Sequence, residues 1–234
     1  MTINEAVIFI DAQARKNQVG NITIAQKNAY FKRAQLEIVN DLFGNIEEYQ
    51  MGRPVPRKAF EVTSIISDDL APLIKATDIT QMASGVATKP ADYLYFINLE
   101  SDYYTNPTST LAAYQSWVQV DFVTHAEKAS RMNSHINYPD AYTPIAVNYN
   151  GYFQIYPTTI QKVRLTYLRK PLDPVWGYTT VNSAPVYNSA TSQDFELPET
   201  VHTKICQKVL EYIGISTRDG ELLGIADQKL KQGT

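Results

Sequence analysis

The side chains that come closest to a metal-ligand set are His125, Glu127 and His135. A helical metalloprotease motif places two histidines one turn apart and adds a further ligand at a fixed distance. His125 and His135 do not have that spacing, and neither a cysteine pair nor a second carboxylate follows them. We therefore expect surface or hydrogen-bonding roles for these side chains, and the sequence predicts no metal and no cofactor.

Other arrangements that could support catalysis are also missing from the sequence. It contains no GxSxG nucleophile elbow, no GxxxxGK[ST] phosphate loop and no GxGxxG dinucleotide motif. The adjacent Asp68 and Asp69 point to different faces, although the two carboxylates of a glycosidase can be distant in sequence. Cys206 lies in a helical apolar pattern with Ile205 and Val209, which predicts a buried thiol. The sequence thus predicts no catalytic residue and a protein that is not an enzyme.

Four basic residues cluster on and after one predicted strand, namely Lys162, Arg164, Arg169 and Lys170. They could contact the phosphate backbone of DNA or an acidic partner. The alternative is a solvated strand face whose charges discourage edge-to-edge aggregation. The formal net charge of −3, with both signs mixed along the chain, does not indicate a nucleic-acid-binding domain.

Tyrosine is unusually abundant, with 16 copies in 234 residues. Its ring provides a large apolar area and its hydroxyl tolerates water, so it is enriched at protein interfaces. A tyrosine-rich β-sheet core would explain the same composition. The interface interpretation places candidate subunit contacts at Tyr149, Tyr152, Tyr156, Trp176, Val186 and Tyr187.

The middle of the chain is predicted to be rich in β-structure, over residues 86–180. Residues 151–156 and 162–170 alternate apolar and polar side chains, as half-buried strands do, and they are predicted to pair as a hairpin. Pro157 separates these strands, because proline cannot donate a hydrogen bond to the ladder. Residues 181–196 are rich in Asn, Ser, Ala and Thr and are predicted to form an extended loop.

Helices are predicted at both ends of the chain. Capping boxes mark two of their starts, at Thr2 with Glu5 and at Thr23 with Gln26. The first helix is expected to extend to about Lys16, and Gly44 is expected to end the second. Apolar residues at helical spacing follow in the second helix at Phe31, Ala34, Ile38 and Leu42.

Pro198 occupies a favourable first position for a C-terminal helix, which Gly214 is expected to end. Its apolar stripe consists of Val201, Ile205, Val209 and Tyr212, and Asp219 can cap a last helix that carries Leu223. Helices this short gain stability by packing, so the terminal helices are expected to pack together. The predicted fold is α+β, one unit over residues 1–234, with a helical bundle formed by residues 1–50 and 197–234 and a β-rich middle extension. The N-terminal residues indicate neither a secretory signal nor a membrane span.

Three segments of the sequence resemble a known family: QKNAYFKRAQLEIVNDLFG, NSHINYPDAYTPIAVNYNGYFQIYPTTIQKVRLTYLRKPLDPVWGYT and FELPETVHTKICQKVLEYIGI. They are similar to the head-to-tail connector, or ring, structural proteins of crAss-like tailed bacteriophages. The resemblance implies a virion protein, made in the bacterial host cytoplasm, that forms a closed ring of about twelve copies beneath the portal. It also implies contacts with the portal and with other neck and tail proteins, passage of DNA through the lumen without sequence specificity, and no membrane association.

Adaptor proteins of this kind typically have a helical bundle that carries a β-rich extension. The β-rich part of this chain is larger than that of the small all-helical adaptors. A second hypothesis is a carbohydrate-binding or adhesive β module, because exposed tyrosine and tryptophan rings could stack on sugars. The long helices and the missing export signal favour the connector.

Overall fold

The computed structural model describes residues 1–16, 22–47, 68–80, 82–102 and 117–217 of a mixed α+β protein. The chain divides into two compact units. Unit 1 comprises residues 1–73 and 171–234, and unit 2 comprises residues 74–170. The β-rich unit therefore begins and ends earlier than the predicted range of 86–180, because its first strand precedes residue 86 and the last strands of the chain belong to unit 1.

The described residues include the helices α1 (Ile3–Lys16), α2 (Ile24–Glu47), α3 (His125–Met132) and α4 (Glu199–Thr217). Both predicted capping boxes are confirmed. The Thr2 hydroxyl accepts the Glu5 N–H at 3.3 Å, and the Glu5 carboxylate accepts the Thr2 N–H at 3.0 Å. Thr23 and Gln26 make the same pair of bonds at the start of α2. These bonds satisfy backbone donors that the first turn of a helix leaves without a partner.

In unit 1, α4 packs against α2 and also contacts α1. The predicted apolar stripes of α2 and α4 are buried in unit 1, as are residues of α1 at helical spacing, and the buried set includes Ile3, Val7, Ile10, Phe31, Ala34, Ile38, Leu42, Val201, Ile205 and Val209. Cys206 is buried on the same helix as Ile205, and burial raises the pKa of its thiol to about 12. The unionised thiol is a poor nucleophile and behaves as a small apolar side chain.

A polar cluster joins α2 to α4 beside this apolar core. The Glu37 carboxylate accepts hydrogen bonds from the Lys208 ammonium, at 2.8 Å, and from the Tyr212 hydroxyl. Burial acts to raise the pKa of Glu37, but these two bonds outweigh it and hold the pKa below its ordinary value. Burial and the bond to Glu37 raise the pKa of Tyr212 to about 12, while Arg33 lies over its ring at 4.7 Å.

The two glycines expected to end helices do not do so. α2 continues past Gly44 to Glu47, and α4 continues past Gly214 to Thr217. A glycine cap requires the left-handed conformation, and neither residue has a positive φ, so the helical hydrogen bonds continue through both. The last predicted helix, with Asp219 and Leu223, lies outside the described residues.

Unit 2 contains two four-stranded sheets. The β8 sheet has the strand order β1 (Ile74–Ile79), β8 (Val163–Arg169), β3 (Tyr93–Asp102) and β4 (Trp117–Gln119). The β7 sheet has the order β2 (Val86–Thr88), β7 (Tyr152–Tyr156), β6 (Ile145–Tyr149) and β5 (Asp121–Phe122), and only β5 and β6 run parallel within it. A single apolar core combines buried residues of both sheets, among them Leu99, Ala146, Phe153, Ile155, Val163, Leu165 and Tyr167.

The predicted hairpin of residues 151–156 and 162–170 is wrong in its pairing. Strand β7 pairs with β6 through a turn at Gly151, whose φ of 83° favours glycine, and β8 pairs with β1 and β3 in the other sheet. The alternation within each strand is confirmed, with Phe153 and Ile155 buried in one and Val163 and Leu165 in the other. The segment after Pro157 carries the chain between sheets, so these apolar faces meet across a core.

We expect Leu42→Ala and Ile205→Ala each to lower the free energy of unfolding by about 2–5 kcal/mol, because each leaves a cavity between buried helices. Ile8→Ala is the matched control, since Ile8 is 60% exposed on α1, and it should change stability by less than about 0.5 kcal/mol. Urea unfolding followed by circular dichroism measures all three. Losses below about half a kcal/mol at both buried positions would contradict this packing.

Candidate interaction surface

Residues 178–187 form a β-hairpin that projects an exposed surface from unit 1. Its strands are β9 (Tyr178–Val181) and β10 (Ala184–Tyr187). Asn182 and Ser183 form the turn, with φ values of 50° and 62°. Two consecutive residues with positive φ are typical of the type I′ turn, whose twist suits a two-residue hairpin.

The extended loop predicted over residues 181–196 is therefore wrong. Its first part belongs to the hairpin, and a 3-10 turn follows at Ser189–Thr191. The Asn182-Ser183 pair was the available signal for a turn, but the first strand lies before the predicted boundary. Residues 184–187 are therefore a strand because they pair with β9, most of which lies before residue 181.

The hairpin is uncharged and partly apolar, with the sequence YTTVNSAPVY. Tyr178, Val181 and Val186 are 48%, 51% and 48% exposed. Isolated apolar residues at a surface are ordinary, but grouped apolar residues on one uncharged hairpin indicate an interaction surface. The candidate contact Val186 lies on this surface, whereas the structure adds Tyr178 and Val181 to it.

Trp176 anchors the base of the hairpin and is only 9% exposed. Its indole N–H donates to the Asn4 side chain at 3.0 Å, and its backbone N–H donates to the Asn28 side chain at 3.0 Å. The rings of Tyr178 and Tyr187 pack at centroid distances of 6.0 and 5.8 Å from it. The prediction that Trp176 is a surface contact is therefore wrong. Its N–H groups bond to Asn4 and Asn28, and its ring is buried within unit 1.

The chain after the hairpin is held close to its base. Val175 and Gln193 exchange two backbone hydrogen bonds, at 2.9 and 2.8 Å. The Ser192 hydroxyl accepts the Gly177 N–H at 3.0 Å. A side chain at Gly177 would come within 2.2 Å of the Thr191 hydroxyl, so only glycine fits there without rearrangement. These contacts fix the position from which β9 and β10 extend.

The candidate residues Tyr149, Tyr152 and Tyr156 belong to unit 2 and are half-buried. The rings of Tyr149 and Tyr152 stack across the β6–β7 turn, with centroids 5.0 Å apart and planes 7° apart. His125 packs edge-on against Tyr149 at 4.8 Å, and the Lys128 ammonium lies 4.7 Å over the Tyr156 ring. These tyrosines therefore form contacts within unit 2, while Val186 and Tyr187 belong to unit 1.

The chain between α3 and β6, here called the 133–144 loop, presents a second exposed apolar group that the sequence patterns did not indicate. Ile136 is 93% exposed, and Tyr138 and Tyr142 are 53% and 65% exposed. The Ser134 hydroxyl accepts two backbone N–H groups, and the Asp140 carboxylate accepts two more. Such turns order a loop locally, and the Ser-His-Ile-Asn and Asp-Ala-Tyr-Thr sequences were the signal for them.

Two of the basic candidates, at the start of β8, are paired with acidic neighbours in unit 2. Arg164 donates to Asp78 at 2.8 Å, and Lys162 lies 3.7 Å from Asp78 and 3.8 Å from Asp102. The Arg164 hydrogen bond holds the pKa of Asp78 below its ordinary value. Both cations also cover the Trp117 ring, at 4.2 Å for Arg164 and 4.9 Å for Lys162. Because Lys162 and Arg164 already contact carboxylates and the Trp117 ring, we do not expect them to bind DNA.

The other two basic candidates lie at the opposite end of β8. Arg169 is half-buried, and Lys170 is exposed immediately after the strand, with its backbone N–H bonded to the Asp92 carbonyl at 2.7 Å. The four basic residues therefore do not form one positive patch, because they divide between the two ends of the strand.

The three residues considered for metal binding have separate environments. Glu127 completes a capping box with Thr124 at the start of α3, His125 packs on Tyr149, and His135 is exposed. Within the described ranges, no group of three or more His, Cys, Asp or Glu side chains is placed to hold a metal ion. The helices described by the structure also include none that is long and apolar enough to cross a membrane.

The chain matches no protein-family model and no curated protein. The structure is that of a mixed α+β protein with exposed apolar residues on the β9–β10 hairpin and on the 133–144 loop.

We expect Trp176→Ala to lower the free energy of unfolding by about 3–5 kcal/mol, because it removes a buried ring and leaves hydrogen-bond partners unsatisfied. Val186→Ser removes apolar area that is already in water, and it should change stability by no more than about 0.5 kcal/mol. Thermal and urea unfolding of the two variants provide the comparison. A large loss at Val186 with none at Trp176 would reverse the assignment of anchor and surface.

Proposed function

We propose that this chain is a structural, non-catalytic virion protein that forms a ring in the head-to-tail connector of a tailed bacteriophage, beneath the portal. The observation that carries the proposal is the uncharged, exposed β9–β10 hairpin, anchored by Trp176 in the unit that contains α1, α2 and α4. In this proposal these helices, drawn from both ends of the chain, form the body of each subunit. Unit 2 is its β-rich extension, as the resemblance to connector proteins implies.

A closed ring requires two different surfaces on each subunit, because each copy contacts one neighbour on either side. The described residues include two separate exposed apolar groups, one on the hairpin and one on the 133–144 loop. They lie in different units and differ in sequence. Such a pair of unlike surfaces supports head-to-tail association better than a symmetric dimer, which uses one surface twice.

The charge distribution supports passage of DNA without binding. The formal net charge is −3, and Lys162 and Arg164 are paired with carboxylates. A connector must let DNA through, and a strongly basic lumen would retain it through phosphate contacts. We therefore do not expect Lys162 and Arg164 to contact DNA, and the portal and neighbouring neck proteins are the expected partners.

The carbohydrate-binding hypothesis has one observation in its favour, the exposed Tyr138 and Tyr142. Sugar stacking requires an accessible aromatic face, and tryptophan provides the largest one. The Trp117 ring is covered by two cations and Trp176 is buried, so neither is free to bind a sugar. The connector proposal therefore accounts for the exposed residues of both the hairpin and the 133–144 loop, whereas sugar binding accounts only for Tyr138 and Tyr142.

We expect the purified chain, alone or mixed with the portal protein of the same phage, to form rings visible by negative-stain electron microscopy. The Val181→Ser, Val186→Ser double variant should assemble less while its melting temperature stays close to that of the wild type. Ile8→Ser removes a similarly exposed apolar side chain from α1 and serves as the control that assembles normally.

A glycan array run on the same preparations separates the two hypotheses. Sugar binding by a chain that stays monomeric at high concentration, with and without the portal, would overturn the connector proposal and support the adhesive module.

A further inference from the structure

Among the described residues, no strand pairs with the outer edge of β9, and all four residues of β9 are exposed. A two-residue turn makes Val181 and Ala184 the closing hydrogen-bonded pair, and such pairs recur at every second residue of an antiparallel ladder. The next pair is Thr179 with Val186, and the bond from the Asn188 N–H to the Gly177 carbonyl fits the same alternation. The backbone N–H and C=O groups of Tyr178 and Thr180 therefore point away from β10.

The outer edge of β10 is closed by Pro185. Pro185 lies opposite Thr180, at a position whose backbone nitrogen points away from β9. Proline has no N–H, so this edge lacks a donor where an incoming strand would need one. Proline and charged residues are two usual ways to protect a sheet edge from pairing. The β10 edge has Pro185, whereas β9 has neither proline nor a charged residue.

A second edge that no described strand pairs with belongs to β1 in unit 2. The Asp102 N–H donates to the Lys162 carbonyl, so the backbone groups of Lys162 face β3, and those of Val163 and Leu165 face β1. Their partners on β1 are Ile79 and Thr77. The backbone groups of Ala76 and Asp78 consequently point outward, on the terminal strand of the β8 sheet.

The charges on β1 are already neutralised within its own unit. The Lys75 ammonium lies 3.0 Å from Asp92, and the Asp78 carboxylate lies 2.8 Å from Arg164. A strand placed beside β1 therefore needs no opposite charge to compensate these side chains. β9 has no charged residue, so the two edges are compatible without burial of an unpaired charge.

We propose that β9 of one copy pairs with β1 of the next copy, so that backbone hydrogen bonds between subunits extend the β8 sheet of each neighbour. The proposal rests on the ring function proposed above and names the contact that builds the ring. The two edges belong to different units and differ in sequence, as a head-to-tail contact requires. Pairing of β9 with β9 of a second copy would use one edge twice and would produce a dimer.

Proline substitutions test each edge separately. Thr180→Pro and Ala76→Pro each remove an N–H that points outward, so the ladder inside each unit keeps its bonds. Thr180→Ala and Ala76→Ser keep the N–H and are the matched controls. We expect each proline variant to lower the association constant between copies by about tenfold or more, because a hydrogen bond is lost and the facing carbonyl is left unsatisfied. The controls should assemble as the wild type does.

Hydrogen exchange on the unmodified chain provides a second measurement that does not depend on how a variant folds. The amides of Thr180 and Ala76 should exchange rapidly in the monomer and at least about tenfold more slowly in the assembled ring. The amide of Val186, which is bonded inside the hairpin, should change much less and serves as the internal reference.

The outcomes separate this proposal from the function on which it rests. If the wild type forms no ring with or without the portal, the connector function is wrong. If the wild type forms rings and either proline variant forms them equally well, the strand pairing is wrong while the connector function stands. Proline variants that form normal rings but no longer bind the portal would assign the edge to the portal instead, and β9-linked dimers would assign it to a symmetric contact. Either result would overturn the proposal.

Discussion

The pairing of β1 with β8 is the constraint on which the rest of the structure depends. These are the first and last strands of unit 2, and Ile74 lies directly opposite Leu168. Opposed residues of an antiparallel pair are about 5 Å apart, so the chain enters and leaves unit 2 at neighbouring points. The polypeptide of unit 1 can therefore be interrupted by a whole β-rich unit and still bring α2 and α4 together. Without this pairing, closing so long a loop would cost more conformational entropy.

This topology also determines which surfaces remain available. Because β8 lies between β1 and β3, β1 is a terminal strand of its sheet, and no other described strand pairs with its outer edge. Among the described residues of unit 1, no further strand pairs with the β9–β10 hairpin, and Trp176 fixes its base through Asn4 and Asn28. A rigid anchor lowers the entropy lost when the hairpin binds a neighbour. The same arrangement therefore stabilises the subunit and presents the surfaces from which the proposed ring would assemble.

Sequence patterns predicted the helix starts and the strand alternation, and they failed where contacts with distant residues determine the structure. The capping boxes at Thr2 and Thr23 and the buried stripe that includes Phe31 follow from contacts within a few residues, so the sequence was sufficient. Strand alternation at residues 152–156 was likewise predictable, and the two-residue Asn150-Gly151 turn was a local signal for pairing with β6. The pairing of β8 with β1 and β3 depends instead on residues distant in sequence. The role of Trp176 was also unpredictable, because its hydrogen-bond partners Asn4 and Asn28 are 172 and 148 residues away in the sequence.

A cryo-electron microscopy map of the tailed phage proposed to carry this chain would test the connector assignment most directly. The account predicts density for α1, α2, α4 and the two sheets of unit 2 in a ring between the portal and the tail, repeated around the particle axis. Absence of this chain from the neck, or density that places single copies on the outer surface of the particle, would contradict it.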